Sequence, residues 1–217
     1  MAFEAIVFDN DGLLLDTEHA WTRAEVELFA RRGSAFTHDH KRELIGTSRT
    51  ESALKLERML DLPGAGDTLM DELHALVMAE LDGGVPPRPG ALELVAAVRA
   101  AGVPVGLASN SSREFVERAL AVSALANGHF DVVVSADDVS APKPAPDIYL
   151  AACAALGAAP ERAAALEDSQ TGVESARAAG LYVIGVPYLP GTSLAGASLT
   201  AGSLADPSVA AALGIVL

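Results

Sequence analysis

The stretch Ile6–Glu18, IVFDNDGLLLDTE, sets four carboxylates behind an apolar triplet: Asp9, Asp11, Asp16 and Glu18 follow Ile6-Val7-Phe8. Burying charge beside a hydrophobic strand is costly unless something compensates it. Three other apolar runs also end in polar groups. Ser109 and Asn110 follow VGLA, Asp137, Asp138 and Lys143 follow VVVS, and Glu167 and Asp168 follow AAAL. Carboxylates gathered at one rim repel unless a cation joins them. Hard oxygen ligands select Mg²⁺, which keeps several waters and commonly pairs with a phosphate.

Each group also has a structural reading. Asp11-Gly12 is turn chemistry, and Ser109 suits a helix N-cap. Lys143, between Pro142 and Pro144, suits a solvated loop, and Glu167-Asp168-Ser169 suits another N-cap. Their joint placement behind successive strands favours one shared site, because ligands of open parallel sheets bind at the C-terminal strand ends.

The elements that must position these residues are short buried strands. The expected strands are Glu4–Asp9, Val103–Ala108, Phe130–Ser135, Ala163–Glu167 and Tyr182–Val186, each an apolar run bounded by turn chemistry. Their alternation with helical stretches predicts an α/β fold, a three-layer Rossmann-like core on a parallel sheet. About ninety residues separate the first two strands, far beyond a normal crossover. That interval is helical throughout, from EHAWTRAEVELFARRG to DTLMDELHALVMAEL. It reads as a small all-helical cap domain, residues 17–83, inserted into a core of residues 1–16 and 84–217. Hinges are expected near Asp16–Glu18 and Gly83–Pro89. The tail from Pro190 reads as a last short helix followed by a strand-like end.

The chain has 217 residues and a formal net charge of −14, with no basic run, which excludes a nucleic-acid-binding face. An anionic substrate must then find local positive charge in the site, from a metal, a lysine or helix N-termini. No apolar stretch is long enough to span a membrane, and MAFEAIVFDND lacks the basic start of a signal peptide. The single cysteine, Cys153, sits in apolar helical surroundings and reads as a buried structural thiol. A cytoplasmic protein is expected.

The segments FDNDGLLLDTE, LASNSS, APKPAPDIY and LEDSQTGVESARAAG resemble, in order and spacing, the four motifs of the haloacid dehalogenase-like superfamily. The likeness covers residues 3 to 187 and is to the phosphatase branch that includes β-phosphoglucomutase and sugar-phosphate phosphatases. It implies that Asp9 is a nucleophile forming an aspartyl-phosphate, and that Asp11 protonates the leaving alkoxide and later activates water. It also implies Mg²⁺ held by Asp9, the backbone carbonyl of Asp11 and Asp168, with Glu167 beside them. Ser109, Asn110 and Lys143 would hold phosphoryl oxygens. The family's dehalogenases lack the second aspartate, so Asp11 argues against that chemistry.

The cap of this branch reads the leaving group. In LIGTSRTE, Arg49 is expected to face the core, against a second phosphate or sugar hydroxyls, or else to be a solvated arginine. His19 and Trp21 are expected to line the pocket, with a cap-core role as the alternative for Trp21. His74 reads as a cap-surface or core histidine. The mutases place a histidine where this chain has Trp21, so DTEHAW lies closer to the sugar-phosphate phosphatases. The expected function is Mg²⁺-dependent hydrolysis of small phosphate monoesters, sugar or polyol phosphates, with a β-phosphoglucomutase-like phosphomutase as the alternative. A receiver-type phospho-acceptor domain is a minor alternative, since it uses a similar acidic rim in a different order. The expected partner is the small phosphate ester alone, without nucleic acid or membrane, on a monomer or weak dimer.

Overall fold

The computed structural model describes residues 3–126, 128–189 and 191–216. Six parallel strands form one sheet: β1 (Ala5–Phe8), β2 (Val105–Ala108), β3 (Val132–Val134), β4 (Ala163–Glu167), β5 (Tyr182–Gly185) and β6 (Leu199–Thr200). Their spatial order is β3-β2-β1-β4-β5-β6. β1 lies at the centre, with Phe8 beside Leu107 of β2 and Leu166 of β4. Chain direction reverses its progress across the sheet on either side of β1, so the polar groups behind β1, β2 and β4 meet at one crevice.

Side-chain alternation builds two apolar layers. Ile6, Phe8, Leu107 and Leu166 face one side, and Val7, Ala108, Ala163 and Ala165 face the other. The first side is covered by α5 (Ala91–Ala100), α6 (Arg113–Ala121) and α9 (Pro207–Leu213). The second is covered by α7 (Asp147–Leu156) and α8 (Gln170–Ala179). The alanines of β4 let α8 approach closely. Cys153 is buried in this layer, and burial pushes its thiol up to about 11, which fits a structural role.

Between β1 and α5 run four helices: α1 (Glu18–Ala30), α2 (His38–Leu44), α3 (Arg49–Leu60) and α4 (Gly66–Leu81). Among the described residues no strand interrupts them, as the helical periodicity predicts. Leu28, Phe29, Leu56, Leu69, Leu73 and Val77 make their common interior. That interior continues into the sheet layer, where Trp21 tilts against Phe115 of α6 with ring centroids 5.3 Å apart. α2 and α3 both open on a capping box, Thr37 with His40 and Ser48 with Glu51. The chain leaves and re-enters through paired connections. Asp16 N–H donates to the Pro86 carbonyl at 2.9 Å and Arg88 N–H to that of Leu14 at 2.8 Å.

Two expectations need correction. The expected strand ends overrun β1, β2, β3 and β5 by one or two residues each, because the flanking residues turn toward the rim or into loops. The last strand precedes the last helix. β6 pairs with β5 through Ile184–Leu199 and Gly185–Thr200, and α9 then ends at Gly214, whose φ of 71° stops the helix. Among the described residues no helix is long and apolar enough to cross a membrane.

Candidate active site

Asp9 directly follows β1, is buried, and meets Lys143 Nζ at 2.6 Å through Oδ1. The same ammonium donates to Glu167 Oε1 at 2.6 Å and to the Ala108 carbonyl at 2.9 Å, so its three N–H bonds are used. Lys143 is 3% exposed, which rules out the solvated-loop reading. Its loop is clamped from two sides. The Asn110 side chain accepts from Lys143 N–H and donates to the Lys143 carbonyl, while Ser175 of α8 donates to the Ala145 carbonyl at 2.6 Å. Tyr149 donates to the same Glu167 oxygen as Lys143, Oε1.

Carboxylate oxygens of Asp9, Glu167 and Asp168 lie within 4.8 Å of one another, all three residues buried. Burial pushes the Asp9 carboxyl well up, opposed by Lys143 and reinforced by Glu167 and Asp11. Asp168 is pushed up by burial, then by Asp9, Glu167 and Glu18. Burial alone would lower Lys143, but Asp9 and Glu167 leave it raised. One lysine therefore faces a surplus of buried negative charge. Asp9 Oδ2 is buried with no hydrogen-bond partner among the described residues. An orphaned oxygen inside an all-oxygen, acidic set is what a hard divalent cation fits.

The turn behind β1 is as compact as the sequence expects. Gly12 has φ of 82°, and a Cβ there would meet Asp168 Oδ2 at 2.3 Å. Any side chain would push into the acidic cluster as well as strain the backbone. Gly172 guards the other side, since a Cβ would meet Glu167 Oε2 at 1.9 Å.

Asp11 sits on the opposite wall. Its Oδ2 accepts from Ser109 Oγ at 2.8 Å and Ser111 Oγ at 2.9 Å, and its Oδ1 from Thr17 Oγ1 at 2.8 Å and Asn10 Nδ2 at 3.2 Å. Three of the four donors are hydroxyls, which turn from donating to accepting at little cost. The shell thus suits a carboxyl group that gains and loses a proton. Thr17 stands at the entry to α1, so the helical insert contributes directly to this shell. Thr17→Val, close in shape but without the hydroxyl, is expected to lower kcat about tenfold with little change in unfolding temperature, read by steady-state kinetics and thermal denaturation.

The helical insert and the rim enclose one cavity, lined by Asp9, Asp11, Lys143 and Asp168 below and by Trp21 and Arg49 above. Asn110 and Ser111 also line it, whereas Ser109 is fully buried behind them against Asp11. Ser112, not Ser109, caps α6, and Ser169 caps α8. His19 lies away from the cavity lining. Its side chain is 70% exposed and meets Asp16 at 3.4 Å. Arg49 reaches the lining but its guanidinium is held by Asp71 of α4 at 2.7 Å. His74 also lines the cavity, 3.5 Å from Glu114. Asp137 and Asp138 serve the loop after β3, accepting from Arg113 N–H and from Ser135.

Besides Thr17, sequence reasoning missed two groups. Ser111 lies in the quoted LASNSS, but nothing in its spacing separates it from its neighbours. The other is a buried ion cluster in the insert: Lys41 of α2 lies 2.6 Å from Glu18 and 3.1 Å from Glu25, both on α1. All three line the cavity. Burial pushes Glu25 up to about 7, Lys41 lowering it and Glu18 raising it. Between the ordinary value near 4.5 and 7 the native chain holds a proton that the unfolded chain has lost, so stability falls as pH rises through that window. Glu25→Gln removes this loss. Its stability relative to the parent is expected to grow from pH 5 to pH 7.5 by at most about 3 kcal/mol, measured by urea unfolding.

A family model for haloacid dehalogenase-like hydrolases matches residues 3–180. The chain belongs to that family. Hexitol phosphatase B of Escherichia coli (strain K12) is 34% identical over 84% of this chain and 83% of its own length. The bifunctional riboflavin kinase/FMN phosphatase of Arabidopsis thaliana is 33% identical over 85% of this chain, which spans about half (48%) of that protein. The crystal structure of CbbY from Rhodobacter sphaeroides in complex with phosphate superposes with a TM-score of 0.81, at 33% identity, covering 94% of this chain and 96% of that one. This haloacid dehalogenase-like chain is an enzyme, a phosphoric monoester hydrolase of the family's sugar-phosphate phosphatase branch.

Proposed function

We propose that this hydrolase is a Mg²⁺-dependent phosphatase of small sugar or polyol phosphates, with residues 17–83 acting as a cap over a catalytic core of residues 1–16 and 84–217. The observation that carries the reading is Asp9. Its carboxylate is fixed by Lys143 through one oxygen, while the other is buried and unpartnered among the described residues, beside Glu167 and Asp168. Asp9, Asp168 and Glu167 would hold the cation, and the family resemblance adds the Asp11 carbonyl. When bound, a divalent cation supplies the positive charge that makes buried carboxylates tolerable and an anionic ester approachable.

The chain's own residues do the rest. An Asp9 oxygen attacks phosphorus, forming the Oδ–P bond as the bond from phosphorus to the ester oxygen breaks. Asp11, when protonated, gives its proton to the departing oxygen. It then takes a proton from the water that attacks phosphorus, and the Asp9 carboxylate leaves. Ser109, Ser111 and Thr17 keep Asp11 oriented in both states. Lys143 holds Asp9 and neutralises charge on the transferring group. Asn110 fixes the Lys143 backbone. The name of the Escherichia coli relative, a hexitol phosphatase, supports a polyol phosphate as substrate class.

The test is phosphate release from a panel of monoesters, including hexitol, hexose and glycerol phosphates, phosphoglycolate and nucleoside monophosphates. Release that needs Mg²⁺ and is best with polyol or sugar esters supports the reading. Interconversion of β-glucose 1-phosphate with glucose 6-phosphate, without net phosphate, would replace it with a mutase. A folded, Mg²⁺-supplied protein that releases phosphate from none would overturn it.

A further inference from the structure

Four charged side chains of the insert line the cavity without a part in the phosphoryl chemistry: Arg49, which pairs with Asp71, and Glu18, Glu25 and Lys41, which pair with one another. Glu18 and Glu25 stand two turns apart on one face of α1, and Lys41 of α2 places its ammonium against both. Glu18 is near enough to the acidic rim to raise Asp168, so the cluster and the rim share one field. We propose that the Glu18–Lys41–Glu25 cluster sets leaving-group specificity, admitting uncharged, hydroxyl-rich leaving groups and rejecting those that carry a carboxylate or a second phosphate. This rests on the phosphatase reading of the site and adds what lies beyond the transferred phosphoryl group.

Two carboxylates face one ammonium, so the cluster is anionic with both ionised, neutral with one protonated, and cationic only if both are. A second anion placed there meets like charge when both glutamates are ionised, which disfavours its binding. Carboxylates only accept hydrogen bonds, and a phosphate or carboxylate on the substrate brings no proton to give. Hydroxyl groups both donate to Glu18 and Glu25 and accept from Lys41, whose third N–H is not used by either glutamate. Arg49 is the other cap cation at the lining. Its guanidinium is 2.7 Å from Asp71, which lies outside the lining, so the pairing offsets the Arg49 charge without removing it.

The test compares esters matched except for charge: sorbitol 6-phosphate against 6-phosphogluconate, and glycerol 3-phosphate against 3-phosphoglycerate, with p-nitrophenyl phosphate as a substrate that has neither hydroxyls nor an extra anion. The expected kcat/KM favours the uncharged member of each pair by about tenfold or more. Glu18→Gln and Glu25→Gln, near-isosteric, are expected to narrow that ratio severalfold, chiefly through KM for the charged ester. Equal or reversed preference in the parent protein overturns the proposal, as does an unchanged ratio in both folded variants. Hydrolysis of p-nitrophenyl phosphate with no discrimination overturns this inference alone, whereas hydrolysis of no ester at all overturns the phosphatase reading beneath it.

Discussion

Asp9→Asn is expected to abolish phosphate release, lowering kcat by about 10⁴-fold or more, while the protein stays folded. The amide keeps the shape of the carboxylate, and its oxygen still accepts from Lys143, which reaches only one oxygen of Asp9. What is lost is an anionic oxygen able to bond to phosphorus. Stability without added metal should not fall, because burial penalises the Asp9 charge and asparagine carries none. The gain in unfolding temperature on adding Mg²⁺ should shrink, since a ligand stabilises in proportion to the logarithm of its concentration over Kd and the variant binds the ion less tightly. Phosphate assay and thermal unfolding with and without Mg²⁺ read both effects. A variant that loses activity by unfolding would not count as support.

Lys143→Met is expected to be the most destabilising substitution at the site. The ammonium is the only cation in contact with Asp9 and Glu167 among the described residues, and all three groups are buried. Removing one partner of a buried ion network while its counter-charges remain costs about 3–5 kcal/mol. The loss should depend on pH in a definite sense. Asp9 and Asp168 already sit above the ordinary carboxylate range, so the native state holds protons there that the unfolded chain gives up. Stability of the variant therefore falls as pH rises, and the gap to the parent is smaller at pH 5 than at pH 8. Denaturant unfolding at the two pH values measures it. Activity should be lost at both.

Much of this arrangement was readable from residues whose roles are set by local chemistry. The apolar runs ending in Asp9, Ser109 and Glu167 gave β1, β2 and β4, since a strand buried on both faces has few other readings. The helical insert was legible because its apolar spacing never shifts to the period of a strand. β6 was not, because two residues, Leu199 and Thr200, carry no periodicity, and their pairing is decided by the β5 edge they meet. At the site, Asp9, Asp11, Lys143, Glu167 and Asp168 converge because the parallel topology brings strand ends together. The Lys41 cluster stayed hidden. Its partners come from two helices whose crossing is tertiary, and each residue alone reads as an ordinary surface charge. His19 shows the reverse case, a chemically capable residue two positions from the cavity-lining Trp21 that the turn of α1 directs to solvent.

The central claim is that phosphorus passes through a bond to Asp9. Asp11→Asn tests it most directly, because an activated ester such as p-nitrophenyl phosphate needs no acid to leave, whereas release of the phosphoryl group from Asp9 still needs the base. Mixed rapidly with that ester and Mg²⁺, the variant is expected to give one burst of nitrophenolate per chain, then stall, with the phosphoryl group recovered on the peptide that contains Asp9. Sustained turnover at the parent rate, with no burst and no phosphoryl group on that peptide, would contradict the account.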